Sequence, residues 1–128
     1  MLQDSMLTKR GWRQLNQTFA ELKDQTGGKS FEKAVKETTS GWYKEALLKI
    51  ADYARDFYGA YAKELREATK GAGTDENALV RVIVGRAEID LRSIEQRYKQ
   101  LYGATVTHHV YWDTSGDFRS TLLKLLRE

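Results

Sequence analysis

Apolar residues recur at intervals of three and four along nearly the whole chain, and this spacing places them on one face of an α-helix. Glycine and serine residues separate the apolar stripes, and the chain contains no proline, so we predict an all-α fold. The residues predicted to face a core are Trp12, Leu15, Phe19, Leu22, Phe31, Ala34, Val35, Tyr43, Ala46, Leu47, Ile50, Tyr58, Tyr61, Ala62, Leu65, Ala68, Leu79, Val82, Ile83, Leu91, Ile94, Tyr98, Leu101, Val106, Val110, Phe118, Leu122, Leu125 and Leu126.

Hydroxyl side chains stand ahead of several of these stripes, where a helix would begin. A serine or threonine at this position can accept a hydrogen bond from an unpaired backbone N–H of the first turn. The residues predicted as N-caps are Ser30, Ser40, Thr74, Thr105 and Ser115.

The sequence also repeats itself. Residues 35–50 align with residues 110–125 at an offset of 75, and the tripeptide Thr-Ser-Gly begins at Thr39 and again at Thr114. The stripe that starts at Trp12 aligns with a later one at an offset of 79. The duplication predicts two related helical units, in which residues 1–54 are a truncated version of the complete unit 55–128.

Composition narrows the class of protein. The chain has 128 residues, of which 41% are hydrophobic and 30% charged, as in a globular protein and not in a disordered one. A net charge of +3 is too thinly spread to indicate nucleic-acid binding. Without cysteine, disulfides and thiolate metal sites are excluded. No segment is long and apolar enough to span a membrane, so we expect a cytoplasmic protein that contacts membranes only peripherally.

Two short segments carry the chemistry. Lys70-Gly71-Ala72-Gly73-Thr74-Asp75-Glu76 lies between two predicted helices, and Asp113-Thr114-Ser115-Gly116-Asp117 precedes the last one. Together they resemble the annexin family. The resemblance covers a full repeat from about Phe57 to Leu126, and an earlier part from about Leu7 to Ala54 looks like the rear portion of a preceding repeat. It implies five helices per repeat, calcium-dependent binding to acidic phospholipid membranes and no enzymatic activity.

The resemblance also implies a set of calcium ligands. Asp113 stands at the carboxylate position, 40 residues after Gly73. The main site would use the backbone carbonyls of Thr69, Gly71 and Gly73 with the carboxylate of Asp113. A secondary site would use the carbonyl of Thr74 with the carboxylate of Glu76.

The chemistry of calcium agrees with these ligands. Calcium takes six to eight oxygen ligands, and a glycine-rich turn lets several backbone carbonyls converge on one ion. A single carboxylate among neutral carbonyls leaves net positive charge and open coordination positions, which lipid phosphate oxygens can fill. The same charge count predicts weak calcium binding without lipid, with a dissociation constant of about 10⁻⁴ to 10⁻³ M.

Three residues beside the proposed ion are expected to meet the lipid. Lys70 and Ala72 lie within the glycine loop, and Trp112 directly precedes Asp113. Trp112 follows Val110 by two residues, so on a helix it points about 200° away from the core-facing stripe. Tryptophan favours the membrane–water boundary, and we therefore expect Trp112 to dock into the headgroup layer.

Other metal or catalytic sites find little support in the sequence. The segment from Asp113 mimics the start of an EF-hand loop, but Phe118 and Lys124 replace the glycine and glutamate that this loop requires. His108 and His109 are adjacent and cannot form an i, i+4 metal pair, so one is expected to pack and the other to be solvated. No serine, histidine and acid constellation indicates catalysis.

The truncated unit departs from the family pattern. Thr38 occupies the position equivalent to Asp113, so no calcium site is expected there. Its missing helices should leave apolar surface exposed at Trp12, Leu15 and Phe19, which predicts a homo-oligomer or pairing with missing annexin repeats. The alternative function is a calcium-independent structural or cytoskeletal interaction protein built on the same helical scaffold.

Overall fold

The computed structural model describes residues 9–70 and 73–127, and within these ranges all regular secondary structure is helical. The all-α prediction is confirmed. The chain divides after Phe57 into two compact units, close to the predicted boundary.

The first unit contains three helices in the part of the chain that is described. They are α1 (Lys9–Gln25), α2 (Phe31–Thr38) and α3 (Gly41–Arg55). Phe19, Ala51 and Ala54 form its small buried core, against which Trp12, Leu15 and Phe31 pack. The prediction that Trp12, Leu15 and Phe19 lie uncovered is therefore wrong, since Phe19 is 3% exposed and the other two are partly buried.

The second unit has a larger core. Its helices are α4 (Phe57–Thr69), α5 (Glu76–Leu79, with a π-helical continuation over Val80–Val84), α6 (Leu91–Tyr102), α7 (Val106–Asp113) and α8 (Gly116–Leu125). All five helices contribute to one cluster of buried side chains, which comprises Ala62, Leu65, Ala68, Leu79, Val82, Ile83, Leu91, Ile94, Tyr98, Val106, Val110, Leu122 and Leu126.

The internal repeat extends to the helix caps. The Ser30 hydroxyl accepts a hydrogen bond from the Lys33 N–H, and the Thr105 hydroxyl accepts one from the His108 N–H. These two predicted caps, 75 residues apart, are confirmed. The predicted caps at Ser40 and Ser115 occupy the N-cap position but make no side-chain capping hydrogen bond.

The repeated tripeptide Thr-Ser-Gly ends in a glycine whose backbone conformation other residues disfavour. Gly41 and Gly116 have φ angles of 65° and 62°, a left-handed conformation that side chains disfavour. The preceding hydroxyls of Thr39 and Thr114 each donate to a helical carbonyl four residues back, at 2.6 Å in both units. The two corners that join α2 to α3 and α7 to α8 are therefore built alike.

The prediction that the C-terminal end of the apolar stripe is buried was wrong in both α1 and α6. Leu22 and Leu101 occupy equivalent positions and are 40% and 41% exposed. Each lies ten residues after the first residue of its stripe, and ten helical steps rotate the side chain by about 280°, which moves it off the buried face. In α6, Tyr102 packs against the core instead.

The inward stripe predicted for α3 was also largely wrong. Ala46 is exposed, and Tyr43 and Ile50 are 53% and 36% exposed. Their equivalents in the second unit include Phe118 and Leu125, which pack against a core to which α4 and α5 contribute. The described part of the first unit has no counterpart of these two helices, so the same stripe stays uncovered.

Candidate metal centre

The loop between α4 and α5 is closed at its base by a backbone hydrogen bond. The N–H of Asp75 donates to the carbonyl of Ala68 at 3.0 Å, which brings the two ends of the loop together. Thr69 is the last residue of α4, where carbonyls lack an intrahelical partner. Gly73 is exposed, and a Cβ atom built on it would have no heavy atom within 4 Å. Gly71 and Ala72 lie outside the described residues.

Thr74 joins this loop to Asp113 across 39 positions of sequence. Its hydroxyl oxygen lies 2.7 Å from Oδ2 of the Asp113 carboxylate and 2.8 Å from the Asp113 backbone carbonyl oxygen. Asp113 is half-buried and ends α7, so its carboxylate is held beside the glycine loop. The structure thus brings together the two segments that the sequence singled out.

The predicted capping role of Thr74 was wrong. Asp75 is the N-cap of α5, and its carboxylate accepts a hydrogen bond from the Ala78 N–H at 3.1 Å. A carboxylate is a strong acceptor at a helix N-terminus, where it also meets the positive end of the helix dipole. This leaves the Thr74 hydroxyl available for Asp113.

The donor set at this loop fits calcium better than a transition metal. In the part of the chain that is described, no group of three or more histidine and acidic side chains could hold a metal ion. The predicted ligands are one carboxylate and backbone carbonyls, which are hard oxygen ligands typical of calcium. Glu76, the carboxylate implied for a secondary site, is exposed in the first turn of α5.

Tyr98 and His109 form a polar contact behind the site that the sequence did not single out. The Tyr98 hydroxyl forms a hydrogen bond with Nδ1 of His109. Burial raises the pKa of Tyr98 to about 12, and the polar side chain of Thr69 opposes this rise. Burial lowers the pKa of His109, and the positive charge of Arg66 lowers it further. Burial therefore favours the uncharged form of both side chains.

The residues expected to meet the lipid are exposed where they are described. Lys70 is exposed, Trp112 is 73% exposed, and Ala72 lies outside the described residues. The Trp112 ring meets that of Tyr111 edge-on at 5.4 Å between centroids. The Arg119 guanidinium lies 4.3 Å from the centroid of the Tyr111 ring, which adds a positive charge beside the aromatic pair. Among the described helices, none combines the length and hydropathy needed to cross a bilayer.

Comparison with known proteins identifies the family. The annexin family model matches residues 60–125, which is just over half of the chain. The matched residues include Thr74 and Asp113, which are in contact in this all-α fold. The chain belongs to the annexin family.

Similar relatives include longer proteins. Mouse (Mus musculus) annexin A13 is 42% identical over 123 residues, which cover 96% of this chain and 38% of the relative. Human (Homo sapiens) annexin A4 is 40% identical over 121 residues, or 94% of this chain and 38% of the relative. The chain therefore spans less than two fifths of the length of these relatives.

Solved annexin structures share the fold. A structure of annexin III aligns with a TM-score of 0.81 and 38% identity, over 89% of this chain and 35% of that one. A structure of calcium-bound annexin (Sm)1 aligns with a TM-score of 0.73 and 36% identity, over 84% and 31% respectively. Calcium is therefore a ligand of at least one protein with this fold.

Proposed function

We propose that this chain binds calcium at the loop between α4 and α5 and, through the ion, an acidic phospholipid surface. The observation that carries the proposal is the contact of the Thr74 hydroxyl with Asp113, because it holds a carboxylate beside the glycine loop. The backbone carbonyls of Thr69, Gly71 and Gly73 are the proposed partners of that carboxylate. The carbonyl of Thr74 and the carboxylate of Glu76 remain the proposed secondary site.

The ion supplies a positive charge with coordination positions that the protein leaves open. One carboxylate does not neutralise a divalent cation, so phosphate oxygens from an anionic headgroup complete its shell. Thermodynamic linkage then requires that lipid strengthen calcium binding by the same factor as calcium strengthens lipid binding.

This coupling is tested by sedimentation with vesicles. The chain is titrated with calcium in the presence of phosphatidylserine-containing vesicles, of neutral phosphatidylcholine vesicles and of no vesicles. The proposal expects sedimentation only with calcium and acidic lipid, and a lower calcium midpoint as the acidic lipid concentration rises. Vesicle binding that ignores calcium, or no vesicle binding, would instead favour the calcium-independent interaction scaffold.

Trp112 provides an optical prediction for the membrane-bound state. In a variant with Trp12 and Trp42 replaced by phenylalanine, Trp112 is the single tryptophan reporter. Because its ring is 73% exposed, burial in the headgroup layer should shift its emission to the blue and protect it from aqueous quenchers. Calcium alone should change the emission much less than calcium with acidic vesicles.

Trp42 offers a matched control for this experiment. It is 77% exposed but lies in the first unit, where Thr38 replaces the proposed carboxylate ligand and the adjacent Glu37 pairs with Lys29 at 2.7 Å. A variant that keeps only Trp42 should show no comparable shift. If Trp112 emission stays unchanged while the protein sediments with vesicles, its ring does not enter the headgroup layer.

The uncovered face of α3 predicts self-association. Tyr43 and Ile50 are exposed on it, and a second copy could cover these apolar side chains. We expect light scattering at rising protein concentration to report a homodimer or larger species. Ile50→Lys should restore the monomer, whereas Ile89→Lys should not, because Ile89 is 68% exposed but lies in the second unit. A monomer at every concentration would contradict association through this face.

A further inference from the structure

We propose that Tyr98 and His109 are positioning residues, whose hydrogen bond holds the carbonyl side and the carboxylate side of the calcium site in register. The inference rests on the proposed calcium site. It concerns side chains that contact neither the proposed ion nor the lipid.

Tyr98 connects both sides of the site, because its ring packs against α4 and its hydroxyl bonds to α7. Tyr98 belongs to α6 and is fully buried. Its ring belongs to the same buried cluster as Leu65 and Ala68 of α4, and Ala68 directly precedes Thr69, which carries the first proposed carbonyl ligand. The Tyr98 hydroxyl bonds with Nδ1 of His109, which lies one helical turn before Asp113 on α7. Tyr98 therefore packs beside the end of α4 and is hydrogen-bonded to α7.

The first unit shows that packing does not require this hydroxyl. The position equivalent to Tyr98, at the offset of 79, is Phe19, which is 3% exposed and stacks on Phe31 with ring centroids 4.2 Å apart. The position equivalent to His109, at the offset of 75, is Ala34. The unit that lacks a carboxylate ligand has a hydrocarbon pair here, and the unit with the proposed site has a polar pair.

Tyr98 is fully buried and His109 is half-buried, so their polar atoms lose contact with water, which costs free energy unless they bond to each other. The Tyr98–His109 bond offsets that cost only when α6 and α7 are in register, so it selects one arrangement of the two helices. Calcium ligands lie at about 2.3 to 2.6 Å from the ion, and displacement of one side of the site by a fraction of an ångström weakens binding. Partners of this kind behind a metal site commonly change metal affinity by about 10- to 100-fold.

Tyr98→Phe tests the inference, with phosphatidylserine vesicles and calcium as the probes. The variant should require roughly three- to tenfold more calcium for half-maximal vesicle binding, less than the usual range, because neither Tyr98 nor His109 bonds directly to a proposed ligand atom. Its thermal unfolding without calcium should stay close to that of the parent chain, since Phe19 fills the equivalent position. The control is Tyr102→Phe, which removes a hydroxyl one turn further along α6 and should leave the calcium midpoint unchanged.

A double-mutant cycle identifies the bond as the cause. If the hydrogen bond carries the effect, His109→Phe should shift the midpoint by a similar factor, and the double variant should lose no more than either single variant. Additive losses, an equal shift in Tyr102→Phe, or a Tyr98→Phe loss matched by calcium-free destabilisation would overturn the inference. If the parent chain responds to calcium and Tyr98→Phe leaves the calcium midpoint unchanged, the positioning role is overturned and the proposed function stands. If the parent chain does not respond to calcium, both the proposed function and the positioning role are overturned.

Discussion

Asp113→Asn is expected to weaken calcium-dependent vesicle binding at least tenfold, which corresponds to about 1.4 kcal/mol or more. Asp113 is the only side-chain ligand proposed for the main site, so the substitution removes the only negative charge that the protein brings to the ion there. Asparagine keeps the shape and one carbonyl oxygen, which can still accept the Thr74 hydroxyl that lies 2.7 Å from the carboxylate. The fold should therefore survive, and the loss should appear as a higher calcium midpoint in vesicle sedimentation.

A nearby carboxylate provides the control for this variant. Asp117 is exposed in the first turn of α8, four residues after Asp113. Asp117→Asn removes an equal charge from the same region and should shift the midpoint by less than about twofold, as expected of a surface charge screened by salt. Equal losses in the two variants would show that vesicle binding follows the general charge of this surface, and would remove Asp113 as a ligand.

The pairing of the glycine loop with Asp113 was implied by the resemblance to annexins, and Thr74 of that loop does contact Asp113. The calcium ligands themselves stay a prediction. The role of Thr74 could not be predicted, since Thr74 and Asp75 are both good N-caps and only the folded chain shows which one meets α5. Asp75 takes the helix, and the Thr74 hydroxyl turns to Asp113. The sequence alone does not show which of two adjacent polar side chains caps the helix and which one bonds elsewhere.

Tyr98 was predicted as a core residue, and it is one, but its hydroxyl was missed. Helical periodicity reports which face of a helix is buried and is silent about polar atoms on that face. The internal repeat did contain the signal, because Phe19 shows that the equivalent position needs only an aromatic ring. Comparison of the two units position by position would have marked the extra hydroxyl.

The helices themselves were predictable because amphipathic spacing is a local property, whereas burial depends on what packs against each helix. The stripe of α3 shows the difference. Its spacing matches that of α8, yet Ile50 is 36% exposed, because the described first unit has no counterpart of α4 and α5. Local pattern therefore predicts the face that can be buried, and tertiary contacts decide whether it is.

The effect of tertiary contacts on burial can be measured at Leu122 and Leu47, which are equivalent positions at the offset of 75. Leu122 is 1% exposed in the larger core, so Leu122→Ala should lower the free energy of unfolding of the second unit by about 2 to 5 kcal/mol. Leu47 is only half-buried, and Leu47→Ala should cost the first unit less than about half as much. Amide hydrogen exchange, followed by mass spectrometry of peptides from each unit, reports both values separately.

The size of the Leu47→Ala effect also tests whether α3 is covered in solution. A second copy packed on α3 would complete the burial of Leu47 and raise the cost of its truncation toward that of Leu122. Because such cover depends on association, the cost would then increase with protein concentration. A small cost that does not change with concentration means that the apolar face of α3 stays open to solvent. A large cost at every concentration, in a chain that light scattering shows to be monomeric, would contradict the half-buried position of Leu47.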